Sequence, residues 1–260
     1  MIAYVDLDPD PGRENVAMAW LDSSEMARWR RFLSADSRRE FVLCRAALRD
    51  ILCARLDCGN RVLSFHETES GKPVACLRGK PAPVNFNITH SGRHGLIAVV
   101  PEGRVGIDVE DRSTPRDIDS VASLTFTPAE RAELAAADGV RKTKFFYRIW
   151  TMKEALIKAL GVGLSLNPAR FEIPPAMRSG ARRCVFRFPH LPGERWRLEP
   201  GQCGFRRCHC HGTEPALGPT HNSDRWRRAR PLIRRYKVDG ALVLPDSVLL
   251  LIITPCRHSP

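Results

Sequence analysis

Asp108 and Glu110 stand two residues apart in Val105-Gly106-Ile107-Asp108-Val109-Glu110. A third carboxylate, Glu154, follows in Trp150-Thr151-Met152-Lys153-Glu154-Ala155-Leu156-Ile157-Lys158. Carboxylates gathered beside cations suit a divalent metal that carries a phosphate, because hard oxygen ligands hold the ion while ammonium groups neutralise phosphoryl charge. The spacing bears on whether these groups can meet. Alternation on a strand sends Asp108 and Glu110 to one face while Ile107 and Val109 enter a core. In a helix running from about Val140 to Leu160, Phe145, Ile149, Met152, Leu156 and Leu160 form the apolar stripe. Glu154 and Lys158 then lie roughly opposite it, free to face solvent or a neighbouring strand. Each pair alone also has an ordinary reading: acids on an exposed strand, and an i,i+4 Glu-to-Lys pair that stabilises any helix by about 0.3–0.5 kcal/mol.

The surrounding pattern supplies elements to position them. Ile2–Leu7 reads as a strand, residues 23–33 as a short helix, and Ser34 to Leu56 as a longer one with Phe41, Cys44, Leu48 and Leu52 on its buried face. Arg38, Arg45 and Arg49 share one edge of that face, as an anion site or as arginines laid along a surface helix. Strands are predicted at Val62–Phe65, Pro73–Cys76, Val84–Thr89 and Leu96–Val100, separated by turn residues. From Val105 the order recurs as a strand, helices, and strands at about Arg170–Ile173 and Cys184–Phe188. Thr127-Pro128-Ala129-Glu130 is a capping-box helix start, and Gly161 and Gly163 stop the following long helix. The recurrence points to an α+β chain of two halves packed side by side.

Two polar turns add candidates. Asn87-Ile88-Thr89-His90-Ser91-Gly92 ends a strand with a histidine that can donate to a phosphate or simply be a satisfied polar residue. Gly71-Lys72-Pro73 is a tight turn presenting a cation, and Gly79-Lys80-Pro81 repeats the tripeptide.

Taken in order, Gly71-Lys72-Pro73, Phe86-Asn87-Ile88-Thr89-His90-Ser91, Val105 to Glu110, and Phe146 to Lys158 with Gly161-Val162-Gly163-Leu164-Ser165-Leu166 carry a resemblance. The chain resembles the 4′-phosphopantetheinyl transferases of the long, two-lobed, surfactin-synthetase-activating type, over residues 1 to about 199. The resemblance implies a pseudo-dimer of two similar α+β lobes, residues 1–102 and 103–199, with the active site in the cleft between them. It implies Mg²⁺ held by Asp108, Glu110 and Glu154, and coenzyme A as donor substrate. Arg45 matches a helix position that reaches the 3′-phosphate in some members, Lys72 and Pro73 the turn beside the nucleotide, Thr89 and His90 the coenzyme A phosphates, and Lys158 the pyrophosphate. Thr89 stands where serine is usual, and the hydroxyl is kept. The implied reaction moves phosphopantetheine to a serine of an apo acyl or peptidyl carrier protein. Lys158 stabilises charge, and Glu154 either accepts the serine proton as well as binding metal or serves as a ligand only.

Hydrophobic content of 43% is ordinary for a soluble domain, the opening residues do not read as a leader, and the late apolar stretch Ala241–Thr254 is broken by Pro245 and Asp246. A cytoplasmic monomer is expected, with no membrane partner and Cys44 and Cys53 as buried thiols. Net charge is +12, and residues 200–260 hold ten of the 41 Lys and Arg against four of the 29 acids. The body is therefore only mildly basic, which suits an acidic carrier protein. Nucleic acid is not the expected partner, although a basic nucleic-acid-binding module and an inactive family member remain alternatives. The segment 200–260 is atypical, rich in Arg, Cys, His and Pro and without helical or strand period before Ala241. Three readings stay open for it: zinc held among Cys203, Cys208, His209, Cys210 and His211; a disordered basic tail; or a shifted reading frame.

Overall fold

The computed structural model describes residues 1–112, 116–181, 183–200, 234–236 and 248–255. Strand β1 (Ile2–Asp6) leads into α1 (Pro11–Met18), α2 (Ser23–Arg31) and α3 (Ala35–Arg55). Each helix starts on a residue whose side chain takes up an orphan backbone N–H: Asp10, Asp22 and Ser34. A hairpin of β2 (Leu63–Glu67) and β3 (Pro73–Leu77), extended by the short β4 (Lys80–Pro81), forms a sheet of its own. Strands β5 (Asn85–Ser91) and β6 (His94–Val100) then pair antiparallel, and β6 lies beside β1. Helix α3 packs on these strands through Leu43, Ala47, Leu48, Ile51 and Leu52, in a core shared with Val5, Ile97 and Val99.

The burial of α3 goes further than an amphipathic stripe. All but one of its residues from Val42 to Cys53 are buried, including Arg45 and Arg49, whereas Phe41 is only half-buried. Arg49, 1% exposed, is neither an anion site nor a surface arginine. Its guanidinium donates to Glu25 Oε2 (2.7 Å), Asn60 Oδ1 (2.9 Å) and Leu63 O (3.1 Å) and pairs with Asp22. A buried cation needs such partners, and these tie α2 and the start of β2 to α3. Cys44 and Cys53 are buried and free, as expected.

The second half begins with β7 (Gly106–Asp111), followed by α4 (Ile118–Thr125), α5 (Pro128–Ala135), α6 (Gly139–Leu160), the one-turn α7 (Pro175–Arg178), β8 (Cys184–Phe188) and β9 (Leu191–Pro200). Gly161 ends α6 at φ +73°, the left-handed conformation a glycine cap adopts without strain. Two pieces of the 200–260 segment are described: β10 (Arg234–Tyr236), which pairs with β1, and β11 (Val248–Pro255), which lies between β7 and β9. The Cys203–His211 cluster lies outside the described residues.

The expected strand at Arg170–Ile173 does not form. Pro168–Arg170 is a short 3₁₀ turn, and the backbone that follows is satisfied by side chains. Phe171 O accepts from Lys153, and Ile173 N donates to Glu130 Oε1 (2.8 Å). Phe171 and Ile173 are still buried, so the apolar alternation was real but belongs to a loop wrapped on α6.

A second core surrounds α6 with Phe146, Ile149, Met152, Leu156, Phe171, Phe188 and Trp196. A third cluster, Ile2, Tyr4, Leu96 and Ala98 with Val105, Ile107 and Val109, joins β1 and β6 to β7. Strand β7 is therefore buried on both faces: the odd residues pack on the first half and the even ones on α6. Gly106 shows how close α6 lies, since a Cβ there would sit 2.0 Å from Ala155 O and 2.6 Å from Ala159 N. Gly106→Ala is expected to push the helix off the strand and cost about 1–3 kcal/mol. Urea unfolding checks this, and an unchanged midpoint would contradict the close approach. Among the described residues, no helix is long and apolar enough to cross a membrane.

Candidate functional site

The even face of β7 meets one face of α6. Trp150, Glu154 and Lys158 recur at i,i+4 and so stack along that face, opposite Glu110 and Asp108. Lys158 Nζ donates to Asp108 Oδ1 (2.5 Å) and to Thr89 Oγ1 (3.2 Å), and Thr89 Oγ1 donates to Asp108 Oδ1 (3.1 Å). Trp150 Nε1 donates to Glu110 Oε1 (2.6 Å). Ser91 Oγ and Arg116 Nη2 both donate to Glu110 Oε2, at 3.3 Å each.

Strand β5 reaches the same place along its edge, by side chains rather than a backbone ladder. Asn87 Oδ1 accepts from Ile107 N (2.9 Å), Thr89 bonds Asp108, and Ser91 Oγ accepts from Asp111 N (3.0 Å). Alternate residues of Asn87-Ile88-Thr89-His90-Ser91 thus form a polar seam between β5 and β7.

Asp108 is 3% exposed and Glu110 9%. Burial pushes the Asp108 carboxyl up to about 6; the Lys158 ammonium opposes this, while Glu110 and Glu154 add to it. Glu154, half-buried, is raised for the same first reason, with Lys158 lowering it and Glu110 raising it. Glu110 and Glu154 therefore both lie near enough for their charge to act on Asp108. Asp108 Oδ2 is buried and has no hydrogen-bond partner.

The donor set can be tested against a metal. Among the described residues, no three of His, Cys, Asp and Glu form a ready-made cage. Mg²⁺ does not require one, since it is commonly held by one or two carboxylates plus water and substrate phosphates. A buried carboxylate oxygen without a donor costs about 1–3 kcal/mol, and a cation beside Asp108 Oδ2 would relieve that cost. The structure thus offers one buried carboxylate oxygen without a donor, Asp108 Oδ2, with the charges of Glu110 and Glu154 acting on the same group.

The other expected residues distribute as follows. His90, exposed at one edge, has Nδ1 3.4 Å from Glu40 Oε2. Its proton affinity is lowered by burial, opposed by Glu40 and reinforced by Lys158. Pro73 opens β3 opposite Glu67. Lys72 places its ammonium at the end of α6, 2.8 Å from Lys158 O, rather than in open space. Arg45 is not part of the acid cluster. It stacks over Phe65 (4.4 Å), its Nε is 3.5 Å from Glu25 Oε1, and its Nη1 is buried without a partner. That buried donor is left without an acceptor, which costs stability unless something meets it.

The residues missed from sequence are Asn87, Ser91, Arg116 and Trp150. The first two share a strand face with Thr89, and Trp150 sits one turn before Glu154, so the periodicity carried three of the four. Trp150→Phe keeps the ring stack on Phe146 (6.2 Å, 11° between planes) and removes only the N–H that orients Glu110. It is expected to weaken divalent-metal affinity about 10–100-fold without unfolding the protein. Mn²⁺ binding followed by electron paramagnetic resonance measures this, and wild-type affinity in the variant would remove Trp150 from the site.

Comparison with known proteins follows the same division. Residues 104–208 match a family model described as the 4′-phosphopantetheinyl transferase superfamily, and residues 8–102 match one described as 4′-phosphopantetheinyl transferase, N-terminal. HetI of Nostoc sp., a 4′-phosphopantetheinyl transferase, is 32% identical over 183 residues, which is 66% of this chain and 77% of HetI. Sfp of Bacillus subtilis, also so named, is 30% identical over 170 residues, 65% of this chain and 73% of Sfp. A Synechocystis sp. protein is 38% identical over 147 residues, and this chain spans 59% of that relative's length.

Proposed function

Because the chain belongs to the 4′-phosphopantetheinyl transferase superfamily, we propose that it moves 4′-phosphopantetheine from coenzyme A to a serine hydroxyl of an apo acyl or peptidyl carrier protein, as a cytoplasmic monomer. In this reading the two halves are the lobes of a pseudo-dimer, and coenzyme A lies between them. The observation that carries it is the Lys158–Asp108–Thr89 junction, a cation, an acid and a hydroxyl from three separate segments, beside the unpartnered Asp108 Oδ2.

The serine oxygen forms a new bond to the phosphorus nearer pantetheine, the bridging P–O bond breaks, and 3′,5′-ADP leaves. Such a transfer depends on placement and charge neutralisation more than on covalent catalysis. Asp108, Glu110 and Glu154 would hold Mg²⁺, which when bound supplies positive charge to the pyrophosphate oxygens. Lys158 supplies a second cation, and its present bonds to Asp108 and Thr89 keep its ammonium at the acid strand. Glu154, raised by burial, suits the acceptor of the serine proton. Thr89 and His90 supply hydroxyl and imidazole donors to phosphate, and Arg45 an unpartnered guanidinium N–H to the 3′-phosphate. The mildly basic body suits an acidic carrier surface.

The test is direct. Incubated with coenzyme A, Mg²⁺ and an apo carrier protein, the enzyme should raise the carrier's intact mass by one phosphopantetheine. A carrier of unchanged mass, with a known transferase as positive control, would overturn the assignment.

A further inference from the structure

Two cysteines meet across the end of α3. The helix closes at Leu56, whose N–H bonds Leu52 O (2.9 Å). Asp57 then turns the chain left-handed at φ +47°, a conformation that aspartate tolerates better than most side chains. Cys58 N donates back to Cys53 O (3.0 Å). This bond runs from the second residue past the cap to the third residue before it, and in a helix end closed that way those two side chains pack on each other. The contact is commonly apolar; in this chain it is made by two thiols. Cys58 is the side-chain hydrogen-bond partner of Cys53, and burial, reinforced by the Cys58 charge, pushes the Cys53 thiol up to about 12.

The two thiols differ in access. Cys53 is 2% exposed and belongs to the first core, whereas Cys58 is half-buried at its margin. An oxidant therefore meets Cys58 first, with Cys53 behind it. A disulfide needs Cα atoms about 4.4–6.8 Å apart and Cβ atoms that face each other. A backbone bond between the two residues together with a thiol–thiol contact is the arrangement that allows it. The segment 53–58 also lies inside a buried anchor, since Arg49 Nη1, one turn earlier on α3, donates to Asn60 Oδ1 (2.9 Å) and Leu63 O (3.1 Å) just beyond Cys58.

We propose that Cys53 and Cys58 are a modification site, a thiol pair that low-molecular-weight disulfides oxidise to an intramolecular disulfide and that small thiols reopen. The Cys58 sulfur, deprotonated, bonds one sulfur of the small disulfide; the S–S bond breaks, and the released thiolate takes up the proton that Cys58 lost. Cys53 then gives up its proton and attacks the Cys58 sulfur, and the second small thiol leaves with that proton. Two protein thiols are oxidised and one small disulfide is reduced to two thiols. Cys53 holds its proton tightly, so the second step is the slow one. The closed ring fastens the end of α3 beside the Arg49 anchor. None of this rests on the transferase reading.

Trypsin separates the two states, because Arg49, Arg55 and Arg61 place the cysteines in different peptides, 50–55 and 56–61. The full chain is incubated with millimolar glutathione disulfide, quenched in acid, alkylated and digested without reductant. The two peptides should appear joined, lighter than their sum by two hydrogens, and should part on reduction. The oxidised protein should melt about 2–6 °C above the reduced one. Cys58→Ser should lose both the linkage and the shift, while Cys53→Ser should retain a glutathione on Cys58, the intermediate left without a partner to resolve it. Peptides that stay separate, a glutathione that persists on Cys58 of the wild-type protein, or Cys58 joined to any other cysteine would each overturn the proposal. Linkage without a rise in Tm would overturn its effect on α3.

Discussion

Asp108→Ala is expected to abolish phosphopantetheine transfer while leaving the protein folded. Asp108 Oδ1 is where Lys158 and Thr89 converge, and Oδ2 is the buried atom that no protein group satisfies. Removing the carboxylate takes away the central charge of the site, and losses of about 10²–10³-fold or more in kcat are usual for a single electrostatic group placed where charge develops. Stability should hardly fall. The lost group is a half-satisfied buried acid, Lys158 keeps Thr89 as a partner, and its side chain is 30% exposed and open to water. Asp108→Asn distinguishes charge from shape, because it fills the same volume without the negative charge and should lose transfer equally. Carrier mass together with thermal melting measures both halves of the prediction. Transfer near the wild-type rate by Asp108→Ala in excess Mg²⁺ would count against the metal assignment.

Lys153→Ala should be strongly destabilising, by about 3–5 kcal/mol. Lys153, next to Glu154 but turned inward, is 0% exposed, and so is Glu130. Every proton of its ammonium is used, on Glu130 Oε2 (2.8 Å), Pro168 O (2.7 Å) and Phe171 O (2.6 Å). Glu130 in turn accepts from Thr127 N (2.8 Å) and Ile173 N (2.8 Å). One ion pair thus fastens α6 to the start of α5 and to the loop that replaces the expected strand. Cutting it from one side leaves an uncompensated carboxylate in the core, whereas replacing both partners with apolar residues is often neutral. Lys153→Met combined with Glu130→Leu should therefore recover much of what either single change loses. A denaturant-melt difference below about 1 kcal/mol for Lys153→Ala would show that the pair is solvated, as a surface ion pair is.

The contrast between Glu154 and Lys153 shows what was legible beforehand. The positions of Glu154 and Lys158 on α6, and the shared face of Asp108 and Glu110, followed from periodicities of 3.6 and 2. Glu130 was legible as half of a capping box, which it is. Its second role, as counter-ion to a buried lysine, depends on how α5 and α6 cross, and no local pattern carries that. The 170–173 segment was misread because alternation reports which side chains are buried, not what satisfies the backbone between them. Arg49 was misread because charge alone suggests a surface, while Asp22, Glu25 and Asn60 come from two other segments. The seam residues Asn87 and Ser91 were given no role of their own because a polar residue facing an acid strand and one facing water look alike in sequence.

That seam has a consequence for how the protein tolerates drift. A ladder of backbone hydrogen bonds survives almost any substitution except proline, since every residue brings the same N–H and C=O. Strands β5 and β7 instead meet through an amide and two hydroxyls, so each tie can be erased by one codon change. This polar contact between the first half and the acid strand is therefore easily lost by mutation, and alanine at positions 87, 89 and 91 together would loosen it while leaving the apolar clusters intact.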